Sequence, residues 1–180
     1  MKTLTYIKSD LYRYYGEVSL SIGIKAYFVN RSFKYSFWLR CSKSDIVFLS
    51  LFAKVMHRIL STRYSIQIPT ETEIGYGLYI GHGTSLIISP FTKIGNNVNF
   101  SQFTSVGTVQ GTGADIGDNV YVGPNVSIVE DVKIGSGAII GASTVVINDV
   151  PENSVSVGNP NRVVKIHIIN EINKNLYKVD

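Results

Sequence analysis

The sequence has 180 residues, of which 44% are hydrophobic, and its formal net charge is +4. This length and composition exclude an intrinsically disordered chain and a protein that crosses a membrane many times. A single cysteine, Cys41, excludes a disulfide scaffold and a thiolate metal cluster, and it is typical of a reducing compartment.

Charge and composition divide the chain near residue 67. Residues 1–67 contain eleven Lys or Arg against three acids, a balance of +8, whereas residues 68–180 contain six against ten, a balance of −4. All five prolines lie in the second part. No apolar secretory core follows Met1, so we expect no signal peptide and a cytoplasmic protein. The pattern predicts two differently built parts.

Residues 1–67 are predicted to form a helical region, because four apolar stretches are separated by residues that end or cap helices. Gly16 follows the first stretch, and Ser44 and Asp45 suit an N-cap before the last one. The predicted helices are Leu4–Tyr15, Val18–Val29, Phe33–Cys41 and Ile46–Leu60.

Two roles for this basic, aromatic region stay open. It is either a helical pack docked on the rest of the protein or a surface that attaches to an anionic membrane at its inner face. An apolar run begins at Ile46, but Lys54 ends it well before the ~20 residues of a membrane span. No nucleic-acid motif accompanies the charge, so no nucleic-acid partner is predicted. The residues for a membrane contact would be Lys34, Arg40, Lys43, Lys54 and Arg58 beside Phe37, Trp38 and Phe48.

Beyond residue 67, apolar residues recur at six-residue steps, and glycine directly follows eight of the thirteen. A period of six fits neither an α-helix nor an alternating strand, but it is typical of a triangular parallel β-helix with three hexapeptides per coil. We predict a mainly β fold with about four to five coils over residues 68–165. Residues 166–180 form a tail with room for a short helix. The thirteen positions are Ile68, Ile74, Ile80, Ile88, Ile94, Phe100, Val106, Ile116, Val122, Ile128, Ile134, Ile140 and Val146.

These units resemble the hexapeptide-repeat acyltransferase family over residues 68–165. Residues 148–164 are similar to the family's turn out of the last coil. The helical region, followed by Ile80-Gly-His-Gly-Thr84 and the segment 98–107, resembles the serine acetyltransferase branch and its relatives that O-acetylate sugars of surface polysaccharides. The resemblance implies a left-handed parallel β-helix, a homotrimer, and acetyl-CoA bound in a groove between adjacent β-helices.

Two irregularities interrupt the repeat, and such interruptions are where function usually lies. The step between Ile80 and Ile88 is eight residues, and the step between Val106 and Ile116 is ten, which leaves a loop drawn from residues 108–115. We expect the two insertions to form opposite walls of one pocket, across a subunit boundary.

His82 is the predicted catalytic residue. Acetyl transfer from a thioester to a hydroxyl needs a base, and imidazole has a pKa near neutral pH. His82 is the one histidine within the repeats, and glycines flank it on both sides. A histidine at the matching position is the general base in the serine acetyltransferase branch. The resemblance therefore implies the same role for His82. His57 and His167 are interpreted as structural.

Two positions depart from the serine acetyltransferase branch. An aspartate precedes the catalytic histidine in that branch, where this sequence has Gly81, and a second histidine lies where Gly113 stands here. A backbone carbonyl, or a carboxylate from Glu71, Glu73 or Asp10, would have to orient the imidazole instead.

These departures make a sugar hydroxyl the predicted acceptor, in the synthesis of capsule, lipopolysaccharide or exopolysaccharide. Serine O-acetylation in cysteine biosynthesis and N-acylation of a nucleotide sugar are the alternatives. The acceptor could also be lipid-linked. We expect direct transfer in a ternary complex, without a covalent acyl-enzyme.

The donor would be acetyl-CoA as a co-substrate. By resemblance, backbone groups at Gly123, Gly141 and Ala142 line its groove, while Gly107 and Gly111 allow its arm to approach closely. Cations after the last coil, at Arg162 and Lys165, would pair with its phosphates. No metal is expected. A γ-type carbonic anhydrase would need three histidines around zinc, and the coils contain one.

Overall fold

The computed structural model describes residues 2–109 and 111–179. In that part of the chain, four α-helices precede a series of short β-strands. The helices are α1 (Lys2–Tyr15), α2 (Leu20–Val29), α3 (Arg31–Cys41) and α4 (Val47–Tyr64). None of these helices is long and apolar enough to cross a lipid bilayer.

Asn30 joins α2 directly to α3. Its backbone ends α2, and its side-chain Oδ1 accepts a hydrogen bond from the Phe33 N–H at 3.0 Å, which caps α3. The predicted cap of α4 is wrong, because Ile46 occupies that position without a side-chain hydrogen bond. Ser44 Oγ instead accepts from the Ile46 N–H at 3.2 Å, one residue ahead of the helix.

The strands are two to four residues long, and glycine or a tight corner separates most of them. They are β1 (Ile66–Gln67), β2 (Glu73–Ile74), β3 (Tyr79–Ile80), β4 (Leu86–Ile88), β5 (Lys93–Ile94), β6 (Asn99–Phe100), β7 (Thr104–Val106), β8 (Asp115–Ile116), β9 (Tyr121–Val122), β10 (Ser127–Ile128), β11 (Lys133–Ile134), β12 (Ile139–Ile140), β13 (Val145–Val146), β14 (Val155–Val157) and β15 (Arg162–Lys165).

Parallel pairing sorts the strands into the three faces of a triangular prism. Face 1 contains β1, β4, β7, β10 and β13, and face 2 contains β2, β5, β8 and β11. Face 3 contains β3, β6, β9, β12 and β14, and β15 closes it as an antiparallel strand. Each coil contributes one strand to each face, which confirms the predicted parallel β-helix after a helical region.

The thirteen six-step residues fill the interior of the prism. All of them are buried, and none is more than 9% exposed. Equivalent residues stack between coils in register, as Ile94 does with Ile116 and Phe100 with Val122. Full burial of each aliphatic side chain stabilises the fold by roughly 1.5–3 kcal/mol. The hexapeptide period therefore encodes the core itself.

Three corners connect the faces of the prism, and each corner is formed by a different set of connecting segments. The His82 corner, where face 3 turns into face 1, comprises residues 81–85, 101–103, 123–126 and 141–144. The loop corner, between faces 1 and 2, comprises residues 68–72, 89–92, 107–114 and 129–132. The tail corner, between faces 2 and 3, comprises residues 75–78, 95–98, 117–120 and 135–138.

A buried ion pair docks the helices on the first coil. Asp10 of α1 and Arg40 of α3 are both buried, and the Arg40 guanidinium donates to both carboxylate oxygens, at 2.9 and 3.0 Å. Asp10 Oδ1 also accepts from the Leu78 N–H at 2.8 Å, and Arg40 donates to the Gly75 carbonyl at 2.7 Å. The pair thus connects two helices to the tail corner of the β-helix.

His57 lies in α4 and packs inside the same interface. It is buried, with its Nε2 2.9 Å from the Tyr35 hydroxyl. Burial lowers the pKa of His57 to about 4, so its imidazole is neutral at neutral pH. Cys41 is also buried, and burial raises the pKa of its thiol to about 11. Both side chains therefore act as packed groups.

The C-terminal tail runs back along the tail corner without forming a helix. Over residues 166–179 the backbone has no helical segment, so the short helix allowed for there is absent. Asparagine side chains hold the tail instead: Asn173 Nδ2 donates to the Asn119 carbonyl at 2.9 Å, and Asn97 Oδ1 accepts from the Tyr177 N–H at 2.9 Å. The first hydrogen bond satisfies a carbonyl of the tail corner, and the second satisfies an N–H of the tail.

Candidate active site

His82 lies in the widest turn of the His82 corner. The chain leaves β3 at Ile80 and enters β4 at Leu86, with left-handed backbone at His82 (φ +59°), Gly83 (φ +55°) and Ser85 (φ +50°). The corresponding turn of the next coil has a single such residue, Phe103. The two extra residues predicted from the repeat are therefore accommodated here, and they widen the turn around the imidazole.

The junction between α2 and α3 holds this turn in place. Arg31 Nε donates a hydrogen bond to the His82 carbonyl at 2.8 Å. Gly83 packs so closely on the start of α3 that a Cβ added to it would lie 2.5 Å from Ser32 Oγ. Because a side chain at this position would displace Ser32 and Arg31, packing as well as the positive φ favours glycine after His82.

A cavity of about 340 Å³ opens beside His82. Tyr14 of α1 forms part of its wall, and its hydroxyl accepts from the Ile80 N–H at 2.9 Å. Burial raises the pKa of Tyr14 above its ordinary value, so this phenol stays protonated and is not an alternative base. The lining residues are Tyr14, Tyr15, Val29, Asn30, Arg31, Ser32, Tyr79, Ile80 and His82.

None of the three carboxylates considered from the sequence lines this cavity. Asp10 is committed to Arg40, and both Glu71 and Glu73 line a different cavity at the loop corner. Within the described residues of one chain, the cavity beside His82 contains neither Asp nor Glu. Arg31 holds the backbone carbonyl of His82 by a hydrogen bond. The chain therefore fixes the backbone of His82, and no carboxylate among the described residues of this cavity orients its imidazole.

The second insertion lies at the loop corner, away from His82. The chain passes there from β7 on face 1 to β8 on face 2, and Gly111, Thr112 and Gly113 line a cavity of about 490 Å³ with Glu71 and Phe91. This cavity shares no residue with the one beside His82. One chain therefore does not bring the two insertions into one pocket, because they occupy different corners. Their meeting across a subunit boundary stays a prediction.

The two positions that depart from the serine acetyltransferase branch differ in the space around them. A Cβ added to Gly81 would meet its nearest neighbour, the Phe100 carbonyl oxygen, at an ordinary 3.4 Å. A Cβ added to Gly113 would lie 2.1 Å from the Phe91 carbonyl oxygen and 2.5 Å from the Thr92 nitrogen. A Cβ fits at the first position without displacing a neighbour, whereas any side chain at the second requires the backbone of the loop corner to move.

Three of the predicted donor-binding residues share the corner that contains His82. Gly123 and Gly141 lie on successive coils, joined through the hydrogen bond from the Gly123 N–H to the Ile140 carbonyl at 2.9 Å, and Ala142 follows. Because neighbouring coils are ~4.8 Å apart, Gly123 lies roughly 10 Å and Gly141 roughly 14 Å from the His82 turn. These residues form a column along the prism that ends at the histidine.

The other predicted donor-binding residues lie elsewhere. Gly107 and Gly111 belong to the loop corner, and Gly111 (φ +85°) has open space where a side chain would be. Arg162 and Lys165 are exposed on β15, at the far end of face 3. One chain therefore does not assemble the whole predicted set.

Sequence reasoning missed Arg31 and Tyr14. Arg31 follows the capping residue Asn30 and Tyr14 lies near the end of α1, and both reach the first coil through contacts across more than fifty positions. No local pattern marks such contacts, since they depend on how the helices dock.

For the acetyl transfer predicted from the sequence, we expect Arg31→Ala to lower kcat about tenfold while leaving the KM for the predicted acetyl donor nearly unchanged. Without its guanidinium the His82 carbonyl loses its hydrogen bond, and small displacements of a catalytic group are costly. Steady-state kinetics with both substrates varied would measure this. Arg31→Lys should recover part of kcat, and the exposed Arg63→Ala is the matched control. Equal kcat in wild type and Arg31→Ala would show that the contact does not position His82.

Within residues 2–109 and 111–179, no group of three or more His, Cys, Asp or Glu side chains is arranged to hold a metal ion.

Comparisons with known proteins agree with this architecture. Residues 113–148 match the bacterial transferase hexapeptide (six repeats) family model. Serine acetyltransferase of Staphylococcus xylosus is 36% identical over 122 residues, covering 62% of this chain and 55% of that protein. Serine acetyltransferase 2 of Arabidopsis thaliana is 32% identical over 123 residues, covering 64% of this chain and 37% of that protein. The chain thus spans only about a third to a half of these relatives.

Solved structures resemble the fold over most of the chain. Soybean serine acetyltransferase, as the apoenzyme, superposes with a TM-score of 0.76 at 25% identity, covering 90% of this chain and 69% of that one. A serine acetyltransferase in complex with CoA gives a TM-score of 0.75 at 19% identity, covering 91% of this chain and 70% of that one. The shared part includes the helical region as well as the β-helix.

Proposed function

We propose that this hexapeptide-repeat protein is an acetyl-CoA-dependent O-acetyltransferase in which His82 is the general base. The observation that carries the proposal is the placement of His82 in a widened turn at the end of the column of Gly123, Gly141 and Ala142. A thioester extended along that column would bring its acetyl group to the imidazole. The likeness to serine acetyltransferases supports the same reaction class.

The proposed mechanism is direct transfer between two bound substrates. The imidazole of His82 removes the proton from the acceptor hydroxyl as its oxygen attacks the acetyl carbonyl. The thioester C–S bond then breaks, and the sulfur of CoA leaves as the imidazolium returns the proton. Holding both substrates beside His82 provides much of the rate enhancement by proximity. The chain's own part is to fix the turn, through Arg31 and the contact of Gly83 with α3.

A homotrimer is part of this proposal. A second subunit that packs its loop corner against the His82 corner would add Gly107 and Gly111 to the donor groove and bring both insertions together. The partner would also bring the carboxylates of its loop-corner cavity, which are Glu71, Glu73, Asp115 and Asp131. Arg162 and Lys165 are proposed as phosphate partners at the far end of the groove.

L-Serine is the acceptor that the comparisons support more directly, because the relatives are serine acetyltransferases. A sugar hydroxyl is a second candidate, and a specific observation favours it. The aspartate and the second histidine of the serine branch are replaced by Gly81 and Gly113, and the backbone around Gly113 leaves no room for a side chain. A site without those two groups lacks the aspartate and the histidine of the serine branch, and Arg31 is the cation that lines the cavity.

An assay of free CoA thiol released from acetyl-CoA would identify the acceptor. Purified full-length protein would be offered L-serine and, separately, a panel of sugars and nucleotide sugars. Turnover with serine would establish a serine acetyltransferase without the paired aspartate and second histidine, whereas turnover only with a saccharide would establish sugar O-acetylation. Gly81→Asp, for which the space exists, should raise turnover with serine in the first case and not in the second.

A further inference from the structure

Helix α4 exposes the face that a helix in a water-soluble protein normally buries. Its apolar side chains recur at intervals of three and four residues and point outward, with Phe48 83% exposed. The opposite side, with Ala53, His57 and Leu60, packs on the rest of the molecule. Exposed apolar stripes of this kind mark interaction surfaces. The stripe consists of Phe48, Leu51, Phe52, Val55 and Ile59.

Helix α2 adds a second exposed stripe that joins the first. Leu20, Ile24 and Phe28 are spaced four residues apart on its outer side, with Leu20 82% and Phe28 73% exposed. Trp38 of α3 connects the two: its Nε1 donates to the Tyr27 hydroxyl at 3.1 Å, and its ring lies 5.5 Å from the Phe52 ring. We call these eight side chains together with Trp38 the helical apolar surface.

The charge around this surface is positive. Residues 1–67 carry a balance of +8, and one of their three acids, Asp10, is buried against Arg40. Lys25 on α2 and Lys54, Arg58 and Arg63 on α4 are all exposed beside the stripes. A second copy of the chain placed on this surface would bring like charges together. An anionic lipid surface would be attracted by each of these cations.

We propose that the helical apolar surface docks on an anionic membrane, with Phe28 and Phe48 inserted among the lipids and the lysines and arginines at the level of the headgroups. Aromatic and aliphatic side chains beside a basic rim are the chemistry of interfacial helices. The two signals act together, because neither partial insertion nor charge alone gives lasting attachment.

The docked orientation has a consequence for the acceptor, and this part rests on the proposed function. Helix α2 continues from Phe28 to Val29, and Val29 lines the cavity that contains His82. A bilayer at the helical apolar surface would therefore lie next to the reaction site. We therefore expect a lipid-linked glycan as the acceptor, because its lipid would hold the glycan at the bilayer beside His82.

The test measures binding of the full chain to vesicles without any substrate. Sedimentation with phosphatidylcholine vesicles, with and without 30% phosphatidylglycerol, gives the affinity, and the single Trp38 reports insertion by a blue shift of its fluorescence. We expect binding to the anionic vesicles, weakened at least tenfold by 0.5 M salt. Phe48→Ser/Leu51→Ser and Lys54→Glu/Arg58→Glu should each weaken it at least tenfold, whereas Ile169→Ser, an equally exposed apolar residue in the tail, should not.

Three results would overturn the proposal. They are failure to bind anionic vesicles, equal binding to neutral vesicles, and a fall in oligomer mass by light scattering in Phe48→Ser/Leu51→Ser. The last would make the surface a contact between copies of the chain. Because vesicle binding is measured without acetyl-CoA, its failure leaves the acetyltransferase proposal standing. Conversely, a wild-type protein without acetyl transfer, or unchanged turnover in His82→Asn, would contradict the proposed function and leave the membrane proposal untouched.

Discussion

Substitution of His82 by asparagine is expected to lower kcat about 10²- to 10⁴-fold, the usual contribution of a general base. Asparagine removes the imidazole but tolerates the left-handed backbone that His82 adopts at φ +59°. Alanine at the same position would add backbone strain to the loss of the base. The measurement is CoA release under saturating substrates, with circular dichroism and size-exclusion chromatography to verify the fold.

His167→Asn is the matched control for this variant. His167 is exposed and has nearly the same backbone conformation, φ +54°, but it lies in the tail beyond β15. Its substitution should leave kcat within a factor of two. Turnover of His82→Asn close to that of the wild type would contradict the assignment of the base, whatever the acceptor.

The largest expected effect on stability comes from Asp10→Asn. The variant leaves the Arg40 guanidinium buried without its carboxylate, and breaking one side of a buried pair costs roughly 3–5 kcal/mol of unfolding free energy. Arg40 would keep its hydrogen bonds to the Ile74 and Gly75 carbonyls, at 3.0 and 2.7 Å, so part of the interface would survive. Urea denaturation followed by circular dichroism measures the loss.

Two further variants separate the ion pair from general effects of charge. Glu17→Gln removes an exposed acid from the same region and should change the unfolding free energy by less than about 0.5 kcal/mol. The double variant Asp10→Leu/Arg40→Met replaces both charges and should be less destabilised than Asp10→Asn. An unfolding midpoint of Asp10→Asn equal to that of the wild type would show that the pair does not secure the helices.

The arrangement of corners explains how one repeat supports separate tasks. The tail corner binds the C-terminal tail and the Asp10–Arg40 pair, the His82 corner contains the predicted base and donor column, and the loop corner carries the longer insertion. The residues with these separate roles lie in the turns at the corners, whereas the thirteen six-step residues fill the interior in every coil. Substitutions at the corners can therefore change chemistry without changing the core.

The sequence by itself determined the β-helix and the residue on which the proposed chemistry depends. A period of six is a local property, because each hexapeptide places one side chain inward whatever its neighbours do, and the structure confirms all thirteen positions. His82 was identifiable because an extra two residues interrupt that period beside it. The four helices were predicted within a few residues of their observed ends, since caps and breakers act over a single turn.

Only the tertiary structure decided how these parts meet. The two insertions lie at different corners because the step from Ile80 leaves face 3 and the step from Val106 leaves face 1. Counting three hexapeptides per coil from Ile68 gives the same order, but it does not show which side chains of the helices and the tail contact each corner. The hydrogen bond of Arg31 to His82, the pairing of Asp10 with Arg40 and the crowding at Gly113 all join distant positions. Such contacts depend on the docking of whole elements, which the packing of the entire chain sets and no local pattern encodes.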